Sequence, residues 1–158
     1  MGIDQSYNGC AFVVTKEDEI LDLGIIRSDK TADVYTRALS NAVQLHTVYE
    51  KHNPDLVGIE GLAFGMTGNV TRDLAGLLFT IVTTMTLKSP DWKYVIIPPT
   101  AVKKRGAGTG KAKKDEMINA TPIHIVDKFK DYGVKKTTGL ADLCDAYWIN
   151  RCANDQLV

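Results

Sequence analysis

The sequence lacks the features that would place it in several familiar classes. Cysteine is scarce: Cys10, Cys144 and Cys152 are the three present, an odd number with no paired short spacing. That pattern is neither a disulfide framework nor a zinc ribbon, and it reads as reduced core thiols in a cytosolic protein. There is no surplus of charge: 19 Lys and Arg stand against 19 Asp and Glu. No whole-molecule field therefore points to a polyanionic partner. No signal peptide and no long unbroken apolar run is visible, because the stretch near 74–87 is interrupted by Thr and Gly. Internal repeats and dividing linkers are also missing, and 158 residues suit one domain spanning 1–158. A Walker A loop is absent too: the spacing after Gly106 is wrong, and no Ser or Thr follows Lys111.

What is present begins with short strands. Ile3 starts the first, Gly9 to Thr15 forms the second, and Ile20 to Arg27 forms the third. The turn signal Tyr7-Asn8-Gly9 and the polar Lys16–Glu19 segment separate them, which predicts an antiparallel meander. Thr31 to His52 keeps a helical spacing through Tyr35, Ala38, Leu39, Ala42, Leu45 and Tyr49. Thr31 is a plausible cap, and Asn53-Pro54 is the stop. A strand over 55–60 follows, expected to run parallel to the one before the helix. Next come a loop over 61–68, a helix over 67–88, a strand over 92–97 and a helical turn at 100–103. Residues 104–111 read as a glycine-rich loop, 113–130 as a helix that Thr121-Pro122 should kink or restart, and 139–154 as a last helix capped by Thr137 or Thr138. The order predicts an α/β fold: a mixed central sheet, three antiparallel strands plus parallel strands, flanked by helices.

Two of the apolar strands end on a lone acid: Gly2-Ile3-Asp4 and Val57-Gly58-Ile59-Glu60. A carboxylate there is costly to desolvate unless something positive meets it. Each acid alone has an ordinary structural explanation, in a turn, at a strand end or in the first turn of a helix. Asp142 and Asp145 add two more at i and i+3, sharing one helix face. Ligand sites in such sheets lie at strand ends, and four oxygen donors suit hard cations such as Mg²⁺ or Mn²⁺. Two such ions about 3.5–4 Å apart can activate a water and stabilise the leaving oxygen of an in-line displacement.

The second informative stretch is 103–114, with six basic residues and no acid: Lys103, Lys104, Arg105, Lys111, Lys113 and Lys114. A charge run is commonly just a solvated loop. Spaced glycines, however, let backbone N–H groups approach phosphate, and the cations supply salt-dependent attraction to nucleic acid. Phe64, in a glycine-flanked loop, either tucks into the core or stacks on a base. Tyr147 and Trp148 read as core packing. The small pair Ala75-Gly76 on the 67–88 helix suits either close core packing or a two-fold helix contact.

These residues resemble the RuvC-type Holliday-junction resolvases, a branch of the RNase H-like nucleases. The resemblance covers nearly the whole chain. It is carried by Gly2-Ile3-Asp4, Ile59-Glu60, Val102-Lys103, the Gly108-x-Gly110-x-Ala112-x-Lys114 segment and Asp142-x-x-Asp145-Ala146. The short standalone format is similar to phage-encoded members. The resemblance implies an RNase H-like fold and a homodimer that makes two symmetric cuts across four-way or other branched DNA. The ends left would be 5′-phosphate and 3′-hydroxyl. It implies two Mg²⁺ or Mn²⁺ ions per site on Asp4, Glu60, Asp142 and Asp145, with Asp4 shared between them. Lys114 would join the catalytic set. Lys103, Lys104, Arg105, Lys111, Lys113 and Lys114 would meet the DNA, and Phe64 would stack on a junction base. No membrane association is implied, and the expected location is cytoplasmic, in the host if the chain is phage-encoded. Three other readings stand beside it: an RNase H-like nuclease on RNA–DNA hybrid or structured RNA, a non-cleaving branched-nucleic-acid-binding module, and an actin-like nucleotide-binding fold, for which 158 residues is too short.

Overall fold

A computed structural model describes residues 1–63 and 68–157. Five strands form one sheet: β1 (Gly2–Asp4), β2 (Cys10–Lys16), β3 (Glu19–Ile26), β4 (Val57–Glu60) and β5 (Tyr94–Ile97). Their order is β3-β2-β1-β4-β5. The first three form the expected meander, and β4 and β5 extend it in parallel. β4 does run parallel to β3, but it lies beside β1, with Gly2 opposite Gly58 and Ile3 opposite Ile59. The mixed α/β sheet expected from the sequence is therefore observed.

Six helices flank the sheet among the described residues: α1 (Val34–His52), α2 (Asn69–Lys88), α3 (Pro99–Ala107), α4 (Lys114–Ala120), α5 (Ile123–Asp131) and α6 (Leu140–Asn154). Strand alternation divides the core in two. Ile3, Cys10, Phe12, Val57 and Ile59 face α1 and α2, joining Ala42, Leu45, Leu77, Ile81 and Met85. Ala11, Val13 and Ile97 face α6, with Met117, Phe129, Leu143, Trp148 and Ile149. By length and mean hydropathy α2 could cross a membrane. Here its Leu77, Ile81 and Met85 are buried within the first of these cores.

Several boundaries differ from the sequence reading for local reasons. Asp33, not Thr31, caps α1, accepting from the N–H groups of Tyr35 and Thr36. Thr31 instead bonds Asp29. The helical turn expected at 100–103 is a full helix running to Ala107, so Lys104 and Arg105 are helical and not in a loop. Pro99 opens it with a preset φ, Lys and Arg favour it, and Gly108 at φ 78° ends it. The 113–130 segment is two helices, broken at Thr121-Pro122 as expected. The last helix begins after Gly139, and Thr138 accepts from the Lys135 N–H instead of capping it.

α6 lies unusually close to the sheet. A β-carbon at Gly2 would run into the Ala146 carbonyl and the Asn150 backbone. One at Gly58 would meet the Ala153 side chain at 2.9 Å and the Ile149 carbonyl at 3.0 Å. Glycine at both positions lets the helix axis come within backbone contact of the strands. Gly2→Ala should therefore lower stability by about 1–3 kcal/mol or more, the usual cost of overpacking a filled core. Urea unfolding of the two proteins measures it; an unchanged midpoint would show that α6 is not held this tightly.

Candidate active site

The close approach of α6 sets the geometry of the acids. Gly2 and Asp4 share one face of β1, and Gly58 and Glu60 share the same face of β4, because side chains alternate every two residues. The two glycines lie under α6, and the two acids follow at the strand ends. Asp142 and Asp145 stand in the first turns of α6. All four carboxylates line one cavity of about 700 Å³.

Their electrostatics confirm that they sense one another. Burial pushes Asp4 well above the usual carboxylate range, and Glu60, Asp145 and Asp142 push it further. Burial, then Asp145, raises Glu60 to about 7, while Lys103 pulls it down. Asp145 is raised to about 6 by burial and by Asp142, against Lys114 and Lys103. The neighbouring Glu60 carboxylate adds to the rise of Asp4, so the closeness of the two acids favours a proton on Asp4. Like charges crowded into a cavity are retained at the expense of stability, a pattern concentrated at functional sites.

The basic segment divides. Lys103, Lys111, Lys113 and Lys114 line the cavity with the acids. Lys114 lies 3.6 Å from Asp142, and both side chains are solvent-accessible. Glu116 accepts from the Lys113 N–H at 2.7 Å and starts α4 at the cavity edge. Lys104 is exposed and does not line the cavity. Arg105 turns away, paired with Asp155 at 2.6 Å and lying over the Trp148 ring. Tyr147 and Trp148 are buried, as expected, and Trp148 donates to Thr121. Phe64 lies outside the described residues. The sequence reading missed Gln5, which lines the cavity beside Asp4 and donates to the Glu60 carbonyl at 2.8 Å. Its place directly after a strand-end acid was the one available signal.

The donor set fits hard divalent cations. It holds carboxylate oxygens from three elements and no sulfur or imidazole. The mutual repulsion of these acids marks a place where positive charge is wanted. Among the described residues no three His, Cys, Asp or Glu side chains already stand as a closed shell around one point. The four acids face a common space and are not drawn in around its centre. Because these acids are crowded at a cost, Asp145→Asn should raise the melting temperature by several degrees at pH 8 in chelator. Differential scanning calorimetry reads this; a lower melting temperature would mean that Asp145 is held by favourable contacts instead.

The sequence matches no family model. Relatives that match include crossover junction endodeoxyribonucleases RuvC. One from Prochlorococcus marinus is 30% identical over 105 residues, 66% of this chain and 66% of the relative. One from a Synechococcus strain is 31% identical over 101 residues, 64% of this chain and 61% of the relative. The matched region thus spans just under two thirds of these curated relatives. Solved structures share the fold over more of the chain. Thermus thermophilus RuvC superposes with a TM-score of 0.65 at 17% identity, covering 95% of this chain and 91% of that one. The same protein in complex with a Holliday junction substrate gives 0.66 at 18%, covering 95% and 90%. The yeast mitochondrial Holliday junction resolvase Ydc2 gives 0.62 at 16%, covering 94% and 74%. RuvC structures have the RNase H-like fold, and this sheet with its flanking helices has it too. The chain is thus a homologue of the RuvC crossover junction endodeoxyribonucleases, matched in sequence over about two thirds of its length and in fold over nearly all of it.

Proposed function

We propose that this chain is a cation-dependent, structure-selective endonuclease that resolves four-way and other branched DNA, leaving 5′-phosphate and 3′-hydroxyl ends. One observation carries the reading. Four acids from β1, β4 and α6 line a single cavity whose rim is built from lysines 103, 111, 113 and 114. Acids on the floor and cations on the rim suit a phosphodiester that must be drawn in and then cut.

Asp4, Glu60, Asp142 and Asp145 would hold Mg²⁺ or Mn²⁺. A pair of such ions, when bound, supplies charge that activates water and neutralises the leaving oxygen. The chain's own part is positional. Asp4 and Glu60 are fixed by paired strands and cannot drift apart. Asp142 and Asp145 are fixed by a helix locked against those strands. Lys103 favours the charged forms of Glu60 and Asp145, and Lys114 does the same for Asp145 while pairing with Asp142. Both ammonium groups would hold a phosphate at the mouth of the cavity. Lys111 and Lys113 extend that cationic rim along the DNA. Lys104 is free to reach a flanking phosphate, whereas Arg105 would first have to leave Asp155.

Two symmetric cuts need two cavities, so a homodimer is part of the reading. The outer faces of α1 and α2 support it. Tyr35, Leu39 and Val43 recur at i and i+4 on α1 and are exposed, Tyr35 at 82%. Phe79 is 71% exposed on α2, one turn beyond the small Gly76 and beside Thr80. Tyr35, Ala38, Gly76 and Thr80 line a groove between the two helices. The groove also carries the Arg72–Asp73 ion pair, and an apolar stripe with a small-residue notch beside such a pair suits a second copy of itself across a two-fold axis.

Asp4→Asn should abolish cutting of a labelled four-way junction with Mg²⁺ while junction binding persists in a gel shift. Cutting at near wild-type rate would contradict the mechanism. Parallel three-way, linear and RNA–DNA hybrid substrates set the substrate class; preferential cutting of the hybrid would replace this reading. Phe79→Glu should shift the protein from dimer to monomer in sedimentation equilibrium and cost most of the paired cutting. A variant that stays dimeric would place the interface elsewhere.

A further inference from the structure

Gln5 carries an unexplained cost. The residue is 6% exposed and lines the acid cavity. Its Nε2 donates to the Glu60 carbonyl at 2.8 Å. A carbonyl can only accept, so this bond fixes which end of the amide is nitrogen and leaves Oε1 directed elsewhere. Oε1 is buried and has no hydrogen-bond partner among the described residues. A buried unpaired carbonyl oxygen costs about 1–3 kcal/mol, and an apolar side chain would avoid that. Of the other residues lining the cavity, Leu62, Ala63 and Leu74 offer no side-chain donor, and Ser6, whose hydroxyl accepts from the Asn8 N–H, makes no bond to Oε1. The Lys103 ammonium makes no bond to Oε1 and acts on the Glu60 and Asp145 carboxylates, which attract a cation more strongly than a neutral amide does. The donor that fits is therefore one that arrives with a ligand.

Resting on the cation-dependent reading above, we propose that Gln5 is a positioning residue whose Oε1 accepts a hydrogen bond from the water shell of a divalent cation held by Asp4 and Glu60, while its Nε2 straps the two acid-bearing strand ends together. The residue acts through what the carboxylates hold. It would steer the hydration of the cation and so its place between the two strands. Hydrogen-bond partners just outside a metal's own ligands commonly change affinity by roughly 10–100-fold.

The test is Mn²⁺ titration of the full-length protein without DNA, with free Mn²⁺ read by electron paramagnetic resonance. Gln5→Met keeps length and removes both polar atoms. Gln5→Glu keeps an acceptor oxygen but loses the donor to Glu60. We expect Gln5→Met to weaken Mn²⁺ binding roughly tenfold or more and Gln5→Glu to bind at least as tightly as wild type. Equal loss in both variants would mean that only the strap to Glu60 matters, and Gln5→Met binding like wild type would mean that Gln5 has no role; either overturns the inference. Should Gln5→Met fail to fold, Gln5→Glu decides alone, weakened binding counting against it. Wild-type protein that takes up no Mn²⁺ would overturn both this inference and the cation-dependent reading. Intact uptake with insensitive variants would overturn this one only.

Discussion

The approach of α6 to the sheet over Gly2 and Gly58 is the constraint on which the rest depends. Backbone-to-backbone packing leaves no slack, so the helix has one depth and one register against β1 and β4. That register brings Asp142 and Asp145 over the strand ends that carry Asp4 and Glu60. A larger residue at either glycine would lift the helix and separate the pairs. The acids are thus placed by the core, and the core tolerates them only because they sit where the sheet ends and the cavity opens. Burial and mutual repulsion raise Asp4, Glu60 and Asp145 together. The fold supplies the stability that this crowding consumes.

The same topology sorts the two faces of the molecule by chemistry. β1, β3, β4 and β5 run in one direction, and α1, α2 and α3 each begin beyond the end of one of them. The α1 N-terminus is capped by Asp33, whereas α3 starts at the acid cavity, where Pro99 lines the wall and the positive end of the helix dipole favours phosphate. The α6 side of the sheet is closed by four helices and carries the acids. The α1–α2 side ends in an outer stripe of exposed Tyr35, Leu39, Val43 and Phe79. The first face is the one proposed above to meet DNA, and the second the one proposed to meet another copy of the chain.

Much of this was legible in the chain because its signals are local. An apolar strand ending on an acid, repeated at Asp4 and Glu60, needs no tertiary knowledge to notice. Neither does an i, i+3 acid pair on a helix. The three-strand meander, the break at Pro122 and the buried Tyr147 and Trp148 also follow from neighbours in sequence. What was not legible depends on contacts made at long range. β4 lies beside β1 instead of β3, which only the assembled sheet decides. The glycines among residues 104–111 suggested a loop, yet α3 runs through to Ala107 because Gly106 packs against Met117 and Trp148. Arg105 looked like one more DNA-facing cation, but Asp155, fifty residues away, claims it. Gln5 drew no notice in the sequence, and only the bond to the Glu60 carbonyl reveals its orientation.

The central claim is that four acids, brought together by one helix on two strands, enclose a place for divalent cations. Anomalous diffraction at the manganese edge, on crystals soaked in Mn²⁺ near pH 8, tests it most directly. The account predicts anomalous peaks inside the cavity, bounded by the Asp4, Glu60, Asp142 and Asp145 carboxylates. A cavity without anomalous density in crystals that bind Mn²⁺ elsewhere would contradict it.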